Sequence, residues 1–191
     1  MTHQHFVIYK PYGYLSQFVN NQNKRRNKKL LGPLYQVPDG CMAIGRLDEK
    51  SEGLLMLTTD GKVSEYIRSI SVEKEYWVMV DGVISKQDCE MLNKGVEIAT
   101  DSGLYITQPC VSYPIQSPKN IPKRFVRDSK HGETSWLCII VTEGKFRQIR
   151  KMTAKIGFPT LRLVRTRIGN FSLKDYKESF LQEVAISDVL G

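Results

Sequence analysis

The chain has 191 residues, with 28 Lys and Arg against 20 Asp and Glu, for a formal net charge of +8. That length suffices for a sizeable core and for one domain or two closely packed halves, and the basic excess suits a polyanionic partner. No run reaches the roughly 18 apolar residues that a membrane helix needs, and the first residues lack the plan of a signal peptide, so a soluble, cytoplasmic protein without a membrane partner is expected.

In chain order, "HFVIYK" at residues 5–10 reads as a strand, and "NNQNKRRNKK" at 20–29 reads as a basic loop. "GLLMLTT" at 53–59 predicts a second strand, followed by a helix near 61–69. A strand over "KEYWVMVDG" ends at an Asp81-Gly82 turn, and a helix near 85–94 follows. The Pro-rich stretch 108–125 reads as a loop, "SWLCIIVTEG" as a strand, and 145–156 as a helix. This is an α+β pattern. No series of β-α-β units is present, so strands distant in sequence have to pair in one sheet.

Cys41, Cys89, Cys110 and Cys138 are scattered without a C-x-x-C spacing, and the histidines are limited to His3, His5 and His131. Neither a disulfide framework nor a metal site is indicated, and the thiols read as small buried apolar residues. No cofactor is expected.

The charge is unevenly spread. Residues 144–167, "GKFRQIRKMTAKIGFPTLRLVRTR", hold eight basic residues and no acidic one. In a helix here Ile149, Met152 and Ile156 form the buried stripe, while Arg147, Lys151 and Lys155 line another face and Arg150 falls between. Gly157 and Pro159 stop the helix. An extended "TLRLVRTRIG" follows, in which Leu161 and Leu163 alternate with Thr160 and Arg162. A basic helix beside a basic strand suits a phosphate backbone, with Lys145, Arg147, Lys151 and Arg165 as candidate RNA contacts.

Three further residues have modest readings when taken alone. Asp48, in "AIGRLDEKSEGLLMLTTDGK", reads as a turn-capping carboxylate near Ser51, Arg46 as a surface residue, and Tyr76 as a half-buried sheet residue. The wider context changes them. "YKPYGYLSQF", "GRLDEKSEGLLMLTTDGK", "KEYWVMVDG" and "EGKFRQIRKMTAKIGFPTLRLVRTRIG" occur in the order and about the spacing of the motifs of the RsuA/RluB/RluE/RluF family of ribosomal RNA pseudouridine synthases. The resemblance runs from about Phe6 to Leu173, and the wording is most similar to the RluE type, which acts on 23S rRNA.

The resemblance implies a pseudouridine synthase catalytic fold, a mixed, mainly antiparallel sheet with flanking helices and a central basic RNA-binding cleft. It also implies a single catalytic domain over 1–191, which allows two subdomains meeting near 62–75, with no separate N-terminal RNA-binding domain. A monomer is expected. The implied activity is isomerisation of a specific uridine to pseudouridine in 23S rRNA. Asp48 is then the nucleophile, Arg150 its ion-pair partner and Tyr76 the aromatic face for a flipped uracil. Arg46 contacts the RNA and helps displace the nucleotide, and Leu163 packs near the base, although core packing is an equally simple account of it. The chain departs from the family pattern at Phe146, where relatives often carry Asn or another polar residue, and in the more basic run at 24–29.

The chemistry agrees with these assignments. The base–sugar bond must break, the base must turn, and carbon 5 must join the sugar, without redox or energy input; one covalent carboxylate suffices for that. Attack on the sugar carbon, addition to carbon 6 and an elimination route all remain open. An ionised carboxylate in a secluded site calls for a fixed cation. The alternatives are a synthase for small-subunit rRNA and a non-catalytic rRNA-binding or ribosome-assembly protein.

Overall fold

The computed structural model of the chain describes residues 3–19, 27–69, 72–177 and 181–191. Of the basic run at 24–29, residues 24–26 therefore lie outside the described residues. The chain divides into two compact units, one formed by Met1–Lys74 and Val164–Gly191, the other by Glu75–Leu163.

The first unit contains β1 (His5–Lys10), β2 (Met42–Ala43), β3 (Glu52–Thr58) and α1 (Gly61–Ser69). The second begins with β4 (Lys74–Asp81), whose Lys74 still belongs to the first. It continues with α2 (Lys86–Asn93), β5 (Glu97–Thr100), β6 (Gly103–Ile106), β7 (Val111–Ile115), β8 (Thr134–Val141) and α3 (Gln148–Lys155). Strand β9 (Thr160–Ile168) carries the chain back to the first unit, which ends with β10 (Phe171–Ser172), β11 (Gln182–Glu183) and α4 (Ile186–Leu190).

In the first unit the strand order is β11–β1–β3–β9, with β2 on β3 and β10 on β9. The sheet is mixed: β1–β11, β1–β3, β2–β3 and β9–β10 are antiparallel, and β3–β9 is parallel. Strands β1 and β3 read as continuous apolar runs because both faces of the sheet are covered. Val7, Leu54 and Met56 pack with Ile67, Ile168, Phe171 and Val189 on one face. Phe6, Ile8, Leu55 and Leu57 pack with Leu31 and Tyr35 on the other. Each such side chain contributes about 1.5–3 kcal/mol by burial, and a one-residue slip would exchange the two cores.

The second unit has its own core, in which Val78 and Val80 of β4 meet Leu137, Ile139 and Val141 of β8, Cys89 and Leu92 of α2, and Ile149 and Met152 of α3. Helix α2 starts at a reciprocal cap, with Asp88 N–H donating to Ser85 Oγ at 3.2 Å and Ser85 N–H to Asp88 Oδ2 at 2.8 Å. Strands β5 and β6 form a separate two-stranded antiparallel sheet.

Several sequence expectations need correction. The Pro-rich stretch contains strand β7, which pairs along β8 with Pro114 opposite Leu137. Because β7 terminates the strand order, a residue without an N–H is tolerated there. Helix α3 begins at Gln148, so Arg147 is its N-cap in a left-handed conformation instead of part of a basic helix face. Strand β9 has no solvated basic face: Arg162 is buried, donates from Nη2 to Pro122 O at 2.8 Å and lies over Trp136.

One close backbone contact in the first unit is the parallel β3–β9 register, Glu52 opposite Val164 and Gly53 opposite Arg165. Gly53 has φ +109, and a Cβ there would lie 2.2 Å from the carbonyl oxygen of Arg165. Gly53→Ala should therefore either separate β3 from β9 or strain both, at a cost of at least about 3 kcal/mol. Urea unfolding of the two proteins measures this; a loss below about 1 kcal/mol would mean the strands relax freely.

Candidate functional site

In the first unit, Asp48 lies in the turn between β2 and β3, half-buried, after exposed Arg46 and buried Leu47. The turn is fixed through its backbone. Ser16 Oγ accepts from Leu47 N–H at 2.9 Å and donates to Leu47 O at 2.9 Å. Gly13 N–H donates to Glu49 O at 2.8 Å, and Ser51 N–H to Asp48 O at 3.0 Å. The "YKPYGYLSQF" segment thus supplies the cradle for "GRLDEKSEG".

Lys10 is the residue that sequence reasoning missed here. It is fully buried, and its Nζ donates to Ser51 O at 2.6 Å and to Pro11 O at 3.0 Å, clamping the end of the Asp48 turn. Burial pushes its ammonium down to about 8, against the opposing pull of Glu52, Asp48 and Glu49, with Arg165 adding to the depression. Its one advance signal was a charged residue closing an otherwise apolar strand. Arg165 is also buried, donating from Nε to Leu54 O at 2.7 Å. Lys28 and Lys29 make local contacts, an ion pair with Glu49 at 2.8 Å and a cation–π contact with Tyr14 at 5.7 Å.

The second unit holds Tyr76, Arg150, Lys145, Arg147, Lys151 and Leu163. Tyr76 is half-buried against this unit's core, and Leu163 lies within that core, 5% exposed. Arg150 donates from Nη1 to Thr160 O at 3.4 Å. Lys145 and Arg147 are exposed; Lys145 Nζ lies 4.6 Å from the Tyr105 ring centroid. Lys151 Nζ donates to Ala99 O at 2.7 Å. Glu143 is the common acceptor of this region, receiving Tyr105 Oη at 2.6 Å, Gln108 N–H at 2.9 Å and Gln148 Nε2 at 2.6 Å. Tyr105 lies outside the sequence motifs, and Glu143 opens the last of them without having been singled out as a candidate.

Among the described residues no group of three or more His, Cys, Asp or Glu is arranged to hold a metal ion, and no helix is long and apolar enough to cross a membrane. The chemistry on display is that of one carboxylate on a rigid turn, a half-buried tyrosine, and cations of two kinds, buried and exposed.

The depressed ammonium of Lys10 gives a pH test. Between pH 8 and its ordinary 10.5 the unfolded chain holds the proton more firmly than the folded one, so the burial cost is full below pH 8 and relieved as pH rises through that window. Relative to Lys10→Met, the wild-type protein should gain stability from pH 7.5 to 9.5, with a slope approaching 1.4 kcal/mol per pH unit. Parallel denaturant midpoints for the two proteins would show that Lys10 titrates normally.

The family model described as RNA pseudouridylate synthase matches residues 4–155. Among similar proteins, the "Ribosomal large subunit pseudouridine synthase E" of Vibrio parahaemolyticus is 39% identical over 182 residues, covering 94% of this chain and 73% of the relative. The protein of the same name from Xanthomonas axonopodis pv. citri is 37% identical over 171 residues, covering 87% of this chain and 86% of the relative. A solved structure described as a crystal structure of pseudouridylate synthase matches with a TM-score of 0.75 at 20% identity, spanning 98% of this chain and 73% of that one, a likeness of fold.

Proposed function

The chain belongs to the RNA pseudouridylate synthase family and isomerises uridine to pseudouridine in large-subunit ribosomal RNA, and we propose that Asp48 is its nucleophile. The observation that carries the residue assignment is the clamp of Ser16, Gly13 and Lys10 on the main chain of the turn around Asp48, at Leu47, Glu49 and Ser51, which fixes where the carboxylate sits. A nucleophile has to be pre-positioned in this way.

The remaining roles follow the same reading. Arg150 supplies the positive charge that an ionised nucleophile needs. Tyr76 offers its ring to the extruded uracil and its hydroxyl oxygen to the carbon 5 proton. Arg46 contacts the RNA and helps displace the target nucleotide, and Lys145, Arg147 and Lys151 take RNA phosphates. The burial of Leu163 gives it a packing role, and Arg165 holds the Leu54 carbonyl. The protein works as a cytoplasmic monomer on 23S rRNA and needs no cofactor, since the reaction moves no electrons to or from an external partner.

Asp48→Asn preserves shape and removes the nucleophile. It should abolish pseudouridine formation on large-subunit rRNA and leave RNA affinity within a few-fold; comparable product from the variant would remove Asp48 from the chemistry. Mapping pseudouridines in both rRNAs from cells with and without the protein identifies the position lost.

For Tyr76 the ring and the hydroxyl separate cleanly. Tyr76→Phe should bind and flip RNA but stall before carbon 5 loses its proton, whereas Tyr76→Ala should also lose stacking worth roughly 1–3 kcal/mol. Single-turnover tritium release from RNA labelled at carbon 5 distinguishes them. Release by Tyr76→Phe at the wild-type rate would leave the tyrosine a stacking residue only.

A further inference from the structure

Between β8 and α3 the chain holds a large apolar ring in water. Phe146 is 66% exposed, its neighbours Lys145 and Arg147 are exposed, and Lys151 Nζ lies 5.3 Å from its ring centroid. A single exposed phenylalanine is ordinary on a protein surface. What sets this one apart is how firmly it is presented. Arg147, the next residue, has φ 53 and ψ 34, and among the described residues no other non-glycine has a positive φ. That conformation is unfavourable for an L side chain and persists where surrounding contacts over-determine it.

Those contacts are present. Lys145 N–H donates to Gln148 Oε1 at 2.9 Å and Gln148 N–H to Lys145 O at 3.1 Å, closing the turn on itself. Gln148 is buried, and its Nε2 donates to Glu143, which also receives Tyr105 and Gln108 and so ties the turn to the β5–β6 hairpin. Lys151 is fixed by its bond to Ala99 O. The result is a braced turn that exposes an aromatic side chain, flanked in sequence by exposed Lys145 and Arg147 and approached by Lys151 Nζ.

We propose that Phe146 is a stacking site for an unpaired base of the RNA, other than the target uridine, with Lys145, Arg147 and Lys151 holding the flanking phosphates. The proposal rests on the reading of the chain as an rRNA-modifying enzyme. Its chemistry is general: every base has a face that stacks on an aromatic ring, and a cationic border neutralises the backbone that carries it. A duplex fits poorly, because its base faces are already stacked on one another.

The test uses the full chain, as wild type, Phe146→Ala and Phe146→Trp, at one salt concentration. The probes are a single-stranded RNA oligonucleotide, an abasic ribose-phosphate oligomer of equal length, and a fully paired RNA duplex. Phe146→Ala should lose between about fivefold and a hundredfold in affinity for the single strand and bind the other two as wild type does. Phe146→Trp should keep the affinity, and its fluorescence, after subtraction of the wild-type signal from Trp77 and Trp136, should be quenched by the base-bearing strand alone. Equal losses on all three probes would assign the effect to charge or turn geometry and overturn the site, as would wild-type affinity for the single strand in Phe146→Ala. An equal quench from the abasic oligomer would overturn it too. None of these readouts requires turnover, so base-dependent quenching in a protein that forms no pseudouridine would sink the enzymatic reading and leave the site standing. An active wild-type enzyme without base-dependent differences would sink the site alone.

Discussion

The close approach of Gly53 to Arg165 is the constraint from which the first unit is built. Two parallel pairs, Glu52 with Val164 and Gly53 with Arg165, join strands more than a hundred residues apart in sequence. They do so at a distance that leaves no room for a Cβ. Arg165 reinforces the junction from its side chain by donating to Leu54 O. The turn carrying Asp48 leads directly into β3, so its position follows from this junction and from the bonds that Ser16, Gly13 and Lys10 make to it. The bonds made by Ser16 Oγ, Gly13 N–H and Lys10 Nζ all reach main-chain groups of the turn, so they fix the backbone on either side of Asp48.

Lys10 shows the cost of that arrangement. A buried ammonium is unfavourable unless its protons find acceptors, and here Ser51 O and Pro11 O are the acceptors. Glu52, Asp48 and Glu49 favour its charge while burial and Arg165 oppose it. The same lysine therefore orders the turn and makes the fold gain stability as pH rises above about 8.

Cations in this chain fall into two groups that composition cannot separate. Lys10, Arg162 and Arg165 are buried, and each bonds a backbone carbonyl. Arg46, Lys145 and Arg147 are exposed, and these suit phosphate contacts. The net charge of +8 suited a polyanion, yet part of the positive charge is committed to holding the fold. In the second unit the equivalent anchor is an anion, Glu143, which gathers donors from the hairpin, its connection and α3.

The sequence by itself determined the elements whose signal is local. Strand β1 at His5–Lys10 and helix α1 at Gly61–Ser69 match their expected limits, because apolar runs and periodicity reflect burial directly. Motif order also made Asp48 and Tyr76 candidates, since motifs preserve residue type and spacing. Other features were decided only by tertiary structure. Strand β7 forms despite Pro114 because it lies at the end of the strand order. Arg147 leaves the helix because Gln148 and Glu143 brace the turn before it. Arg162 goes inside because Pro122 O and the Trp136 ring receive it. In each case the deciding partner lies on another element or in the bracing of a turn, and a pattern read along one strand or helix contains no information about which donors, acceptors and rings the fold will bring to it.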